Sequence, residues 1–569
     1  MSESSTIRVA AAQFHIGHDL DENLQTCLRM IRKAAECKPD LIVLPEFCNH
    51  LSWYEDQAHC DKVSIGLDSP WLQSIADCVK EVGAHVVINC TILREDGACT
   101  GTSLLYSPEG ELLADNDKQI YIGHENDFLR PAQTEGPIVE TPLGKLGLYA
   151  CMDGVINEPP RSLSLRGAQI ICNSVNSFAP DEGSLHMPVR AAENKVFMVA
   201  ANKVGPLIPE FLMDPVSEAT GISKPFLCGA GDSQIVAPDG TVLAIAGNEE
   251  EIIFADINPA DALNKVAADG TDIFASRRPD LYQPIGEDPA TQPELAYNGA
   301  ESATAAMIQL ANTGAEAIAE AVEQATAAIA QGAEIVVLPE LFFVADSSAP
   351  DLAEEVAQSQ AVVEQFTAIA ADAVIVCSII IEEGGQHFHA TVAINKQGII
   401  ATQKQLHPSA RLSWSALGDE VVSVDVAFGR LGLATGADTI YPEMFRLIAM
   451  QSVEVVAVPF SVQEKWELVT GLVERAAENR LNMIAVTQPS ELGCSFANKL
   501  HKDFTVLTPW EEREFDGNLT YPLITQAGQG AGITLAPLTP LNAQDKVVSR
   551  GTDLIRNRPW RLAQAITAV

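Results

Sequence analysis

Apolar residues in this chain gather in short unbroken runs, separated by stretches in which they recur every three or four positions. Residues 7 to 14 (Ile-Arg-Val-Ala-Ala-Ala-Gln-Phe) form the first run and read as a buried strand. Leu24, Cys27, Leu28, Ile31 and Ala35 then fall at helical spacing and predict one apolar helix face. Leu41 to Leu44 predict a second buried strand, stopped by Pro45, so Glu46 stands just beyond a strand end. Further strands are expected at 84–92, 146–150, 169–173 and 196–201, with helices around 160–166 and 185–194. Strands alternating with helices imply an α/β architecture in which helices cover a sheet and reactive groups collect at one rim.

The pattern occurs twice. Leu41-Ile-Val-Leu-Pro-Glu46 matches Ile335-Val-Val-Leu-Pro-Glu340, and Arg190-Ala-Ala-Glu-Asn194 matches Arg475-Ala-Ala-Glu-Asn479. Lys145-Leu-Gly-Leu-Tyr-Ala-Cys151-Met-Asp153 likewise matches Arg430-Leu-Gly-Leu-Ala-Thr-Gly436-Ala-Asp438, and Gly270-Thr-Asp-Ile273 matches Gly551-Thr-Asp-Leu554. Segments recurring in one order indicate a duplicated and fused domain. The seam lies within 280–302, where Pro, Gly, Asp and Glu cluster. The expected division is a domain at 1–285, a linker at 286–301 and a domain at 302–569, which suits a 569-residue chain too long for one core.

Composition narrows the function classes. A formal net charge of -40 argues against a nucleic-acid partner, which needs clustered Lys and Arg. No apolar run reaches membrane-spanning length, so no membrane association is expected. The opening Met-Ser-Glu-Ser-Ser-Thr lacks the basic and apolar regions of a signal peptide, and a cytoplasmic location is expected. The 12 cysteines include no Cys-x-x-Cys pair and read as reduced thiols. No spacing suits zinc, and neither a P-loop nor a Gly-x-Ser-x-Gly elbow is present, so neither metal nor cofactor is expected.

Cys151 ends a glycine-punctuated apolar strand at a turn into a helix. A turn of that kind exposes a nucleophile and leaves backbone N–H groups facing a developing oxyanion. The glutamate after Leu-Pro (Glu46), the lysine in Asp117-Lys118-Gln119 and the cysteine in Gly-Leu-x-x-Cys-x-Asp together resemble the Glu-Lys-Cys triad of the nitrilase superfamily, the carbon–nitrogen hydrolases. Arg190-Ala-Ala-Glu-Asn194 with Phe197-Met-Val-Ala-Ala-Asn202 is also similar to that family, and the resemblance covers both halves.

The resemblance implies two tandem four-layer αββα domains that pair as an intramolecular pseudo-dimer, with further homo-oligomerisation left open. It implies that Cys151 attacks as the nucleophile and that Glu46 shuttles protons. Lys118 and the Met152 N–H would stabilise the oxyanion, with Glu125 orienting the lysine and substrate. Trp53 and Tyr54, just past Glu46, are candidates for lining the acyl pocket.

The second half keeps Glu340 and Lys404, but Gly436 replaces the cysteine and Arg411 aligns with Glu125. Without a thiol that half is expected to be catalytically dead. The residues after the nucleophile, Met152-Asp153-Gly154, resemble the amidase and carbamoylase branches rather than true nitrilases. The expected function is hydrolysis of a small carboxamide or carbamoyl compound through a Cys151 thioester. Alternatives are a nitrilase acting through a thioimidate, an acyltransferase using the same thioester, and a noncatalytic assembly protein.

Overall fold

The structure is a computed structural model describing residues 6–292 and 296–569; residues 1–5 and the linker positions 293–295 lie outside the described residues. The chain divides into two compact units, neither of them contiguous. Unit 1 runs to Asn264 and includes Asp503–Thr520 and Val547–Ala568; unit 2 comprises Lys265–Lys502, Tyr521–Lys546 and Val569. The chain therefore does not part at a single seam within 286–301: each unit draws residues from both halves of the sequence.

Unit 1 contains the strands β1 (Ile7–Gln13), β2 (Leu41–Val43), β3 (His85–Leu93), β4 (Cys99–Tyr106), β5 (Leu112–Asp117), β6 (Val139–Thr141), β7 (Gly144–Ala150), β8 (Ile170–Ser174) and β9 (Phe197–Ala201). Next come β10 (Val204–Pro206), β11 (Cys228–Ala230), β12 (Gln234–Val236), β13 (Val242–Ile245) and β14 (Glu251–Ile257). One six-stranded sheet has the order β14-β1-β2-β3-β4-β5 and the other β13-β12-β9-β8-β7-β6, while β10 and β11 form a separate two-stranded antiparallel sheet. The central triplets β1-β2-β3 and β7-β8-β9 are parallel, and antiparallel strands flank each.

Alternation along β1 explains why it is apolar on both faces. Ile7, Val9 and Ala11 pack with Leu146, Leu148, Ile170 and Val199 of the other sheet, which makes the layer between the sheets. Ala12 turns instead toward the helices α1 (Leu20–Ala35) and α3 (Pro70–Val82), where Cys27, Met30, Ile31, Ala34, Leu72, Ile75 and Val79 fill the core. The α1 face is centred on Cys27, Met30, Ile31 and Ala34, with Leu24 and Leu28 only partly buried, so it is rotated slightly from the face expected from sequence. Asp19 caps α1, accepting the Asp21 and Glu22 N–H groups at 2.9 Å each. On the outer face of the second sheet lie Leu163 of a helix at Glu158–Leu165 and Met187 and Ala191 of a helix at Met187–Asn194. Helix, sheet, sheet and helix make four layers.

Unit 2 repeats the plan. Its sheets run Gly398–Lys404, Gln386–Asn395, Val374–Glu383, Ile335–Val337, Ala303–Gln309 and Gly532–Leu538, and Ser423–Val426, Gly429–Leu433, Val455–Pro459, Asn482–Val486, Phe496–Lys499 and Leu523–Gln526. Both units carry a π-helical turn before the Arg-Ala-Ala-Glu-Asn helix, at Glu182–His186 and Glu467–Gly471. The helix expected at 185–194 thus starts earlier, with a widened first turn. Among the described residues no helix is long and apolar enough to cross a membrane.

The late segments of unit 1 close a core beside the Cys151 turn. Phe504, Val548 and Leu554 pack with Ile120, Met152, Val155 and Ile156. Leu554→Ala is expected to cost about 3 kcal/mol of stability through the cavity it leaves, read as a lowered denaturant midpoint. Residues 1–290 expressed alone lack this layer and are expected to give neither a cooperative unfolding transition nor turnover.

Candidate active site

Three strand ends converge on one buried cluster. β2 stops because Leu44 makes the last ladder bond, its N–H donating to the Val87 carbonyl at 2.9 Å, and Pro45 has no N–H to offer. Glu46 then donates its N–H to the Val175 carbonyl (3.2 Å). Phe47 adopts a left-handed backbone, φ 52°, with its N–H held by Asn89 Oδ1 at 3.0 Å. The reversal turns the Glu46 side chain fully inside, at 0% exposure.

Lys118 follows β5, its N–H donating to the Gly101 carbonyl at 2.8 Å. The next two N–H groups, of Gln119 and Ile120, donate to Asp153 Oδ1 at 3.0 and 2.9 Å. Asp153 lies two residues after Cys151, so one carboxylate clamps the lysine loop to the cysteine turn. Burial lifts Asp153 to a pKa of about 7, against the pull of Lys118 and these N–H donors. Cys151 itself has φ 48° and donates its N–H to Asn173 Oδ1 at 3.1 Å. A non-glycine residue in that region marks a strained turn.

The Lys118 ammonium sits between two carboxylates, 2.9 Å from Glu46 Oε1 and 3.1 Å from Glu125 Oε2. It also lies over the rings of Phe47 and Tyr121, 5.5 and 5.4 Å from their centroids. Glu125 is fixed from its other side by the Ser52 hydroxyl, which donates to Oε1 at 2.8 Å. Among the described residues Glu46 Oε2 has no hydrogen-bond partner. Burial opposes the charge on Lys118, but Glu125 and Glu46 outweigh it and hold its pKa well above the usual lysine value. Burial raises Glu46 to about 8, with Lys118 pulling it down and Glu125 pushing it up. Burial also raises the Cys151 thiol well above its usual value, and the nearby Glu46 adds to this while Lys118 opposes it. At rest the proton therefore stays on sulfur, next to a carboxyl group poised near neutrality.

A cavity of about 50 Å³ abuts Cys151 and Met152, walled by Ile122, Val155, Phe178 and Leu519 and by the polar groups of Asn176 and Thr520. Trp53 and Tyr54 do not line it. Tyr54 is buried with its hydroxyl 2.9 Å from Thr91 Oγ1, and Trp53 borders a separate cavity of about 900 Å³ with His15, His18, His50 and His59. Sequence reasoning passed over Asn173, Asp153 and Asn89. The repeated Asp438 was the available signal for Asp153, and nothing in the local sequence marks the other two.

In unit 2 the register corrects one assignment. Lys404 pairs across the ladder with Ala390 as Asp117 pairs with Thr102, whereas Gln405 donates its N–H to the His389 carbonyl as Lys118 does to Gly101. Gln405, not Lys404, therefore stands in the place of Lys118. Lys404 points away and pairs with Glu383 at 2.7 Å. Glu340 is retained through a different partner, Arg411, whose Nη2 donates to Oε2 at 2.6 Å. Arg411 therefore supports Glu340 and does not act on Lys404. Asp438 keeps its clamp, accepting the Leu406 and His407 N–H groups.

With the geometry in place, kinship is clear. The carbon-nitrogen hydrolase family model matches the chain twice, over residues 8–263 and 304–512. The chain belongs to the carbon–nitrogen hydrolase family, as a tandem member, and is an enzyme of that class. It is 27% identical to a nitrilase from Pyrococcus abyssi over 46% of this chain and 93% of that protein. It is 26% identical to an omega-amidase from Bos taurus (49% and 98% covered) and 25% identical to an N-carbamoylputrescine amidase from Solanum tuberosum (49% and 94%). A solved mutant of the amidase from Nesterenkonia sp. AN1 in complex with butyramide aligns with TM-score 0.41 and 23% identity, covering 49% of this chain and 97% of that one.

A Cβ at Gly436 would overlap Glu340 Oε1 and lie 2.8 Å from Glu340 Cδ and 3.1 Å from Phe460 Cα. Gly436→Cys is therefore expected to destabilise unit 2 by about 1–3 kcal/mol through overpacking. It is also expected to restore no hydrolysis in a Cys151→Ala background, which unfolding curves and an amide assay on the double variant would check.

Proposed function

We propose that unit 1 hydrolyses a small carboxamide or carbamoyl compound through a thioester on Cys151. The observation that carries this reading is the Lys118 ammonium buried between Glu46 and Glu125, on a loop clamped by Asp153 to the Cys151 turn. In the first half-reaction the Cys151 sulfur attacks the carbonyl carbon as its proton passes to Glu46. The Cys151 N–H is engaged by Asn173, so the oxyanion falls to the Lys118 ammonium and the Met152 N–H. Glu46 returns the proton to nitrogen, the C–N bond breaks, and ammonia or an amine departs. Water then attacks the thioester with Glu46 as base, releasing the acid and restoring the thiol.

The Asp153-Gly154 sequence after Met152 and the amidase names among the relatives favour an amide over a nitrile. The 50 Å³ cavity favours a small acyl group. Unit 2, with Gly436, Gln405 and Arg411 at the corresponding places, takes a supporting role. The twelve free cysteines suit a reducing, cytoplasmic setting.

Cys151→Ala is expected to lower kcat/KM by roughly a thousandfold or more. The accompanying change in stability should be about 1 kcal/mol. Glu46→Gln incubated with an amide panel should give neither turnover nor a mass adduct on Cys151, because the thiol proton then has no acceptor. The pH profile has a definite sign: protonated Glu46 cannot accept the thiol proton, so kcat/KM should climb about tenfold per pH unit toward its pKa of about 8 and then level.

A further inference from the structure

Lys203 is a buried cation for which the reaction above has no use. It follows β9, has 0% exposure, and donates from Nζ to the Phe47 carbonyl at 3.4 Å, with the Phe47 ring centroid 6.0 Å away. Phe47 is the left-handed residue that turns Glu46 inward. Its N–H is held by Asn89 and its C=O by Lys203, so the peptide units on both sides of the turn are anchored.

Charge counting gives Lys203 a second duty. Glu46 and Glu125 are both buried with Lys118 alone between them, so whenever Glu46 is ionised one further positive charge is needed to balance the cluster. Unit 2 provides the comparison inside the same chain. The Asn202 N–H donates to Ser233 Oγ and the Thr487 N–H to Ser495 Oγ, which places Gln488 at the position of Lys203. Gln488 uses its Oε1 to accept the Leu310 N–H at 3.0 Å. Only Glu340 remains there, and Arg411 balances it. Two carboxylates thus accompany two lysines in unit 1, and one carboxylate accompanies one arginine in unit 2.

We propose that Lys203 is a positioning residue for Glu46: its ammonium braces the Phe47 turn and supplies the positive charge that lets Glu46 hold its negative one. The inference rests on Glu46 being the base. Around Lys203 lie Glu46, Glu125, Cys27, Cys48, Cys90, His15 and His50. Burial keeps the Cys27 and Cys90 thiols far above their usual pKa, the Cys48 thiol donates to the Pro45 carbonyl, and burial lowers both histidines, His50 to about 4. The two glutamates are therefore the anions that Lys203 meets. Burial lowers Lys203 to about 8, which leaves it mostly charged at pH 7.

The test follows the alkylation of Cys151 by iodoacetamide against pH in the full-length protein, read by peptide mass, so that no natural substrate is required. Lys203→Met is expected to move the ascending limb up by at least one pH unit and slow alkylation at pH 7 at least tenfold, with recovery at higher pH. Lys203→Arg should keep the wild-type limb. An unmoved limb in folded Lys203→Met, or an equal loss at every pH, overturns the proposal. If Lys203→Met does not fold, Lys203→Gln is read the same way, and failure of that variant to fold assigns Lys203 a structural role instead. Glu46→Gln separates the two readings: if it keeps the wild-type limb, Glu46 is not the base. If it abolishes the limb while Lys203→Met leaves it in place, only the Lys203 inference falls.

Discussion

The arrangement of unit 1 depends on keeping charge out of water. A lone ammonium or carboxylate at zero exposure would shed its charge, and Lys118 keeps its own only because Glu46 and Glu125 approach within about 3 Å. Those contacts gather at the ends of β2 and β5 in one sheet, and Cys151 comes to them from the end of β7 in the other. The second sheet is therefore part of the chemistry as well as of the packing. The same burial that makes the cluster costly raises Glu46 to the range where it can both take and return a proton near neutrality.

Unit 2 shows what the fold retains where Gly436 stands in the place of Cys151. The Asp438 clamp, the strand order and the π-helical turn all persist, so these belong to the architecture. Beside the Glu340–Arg411 pair, His389 meets Ser378 Oγ at 2.7 Å and Gln405 Oε1 at 3.0 Å. One ion pair and these neutral hydrogen bonds stand where unit 1 holds two ion pairs. The glutamate oxygen also occupies the room a cysteine would need.

Much of this was legible in the sequence because strand-end residues are punctuated. Proline after an apolar run marks Glu46, and glycine before the turn marks Cys151. The buried strands were equally plain, since their uniform apolarity has no other reading. The Lys404 assignment failed for a physical reason: a slip of one residue in a strand sends the side chain to the opposite face, and aligned letters do not carry register. Trp53 and Tyr54 were misplaced because the direction of a loop side chain depends on contacts distant in sequence, such as that of Tyr54 with Thr91. The contribution of Phe504, Val548 and Leu554 to unit 1 left no local trace, because a buried apolar residue does not announce which core it joins.

That contribution has a consequence for how the chain is made and preserved. Unit 1 draws on residues as late as Ala568, so it stays unfinished on the ribosome until those residues have emerged. A frameshift or early stop in the second half would strip Phe504, Val548 and Leu554 from the core beside Cys151. The integrity of unit 1 therefore rests on the reading frame of both halves of the sequence.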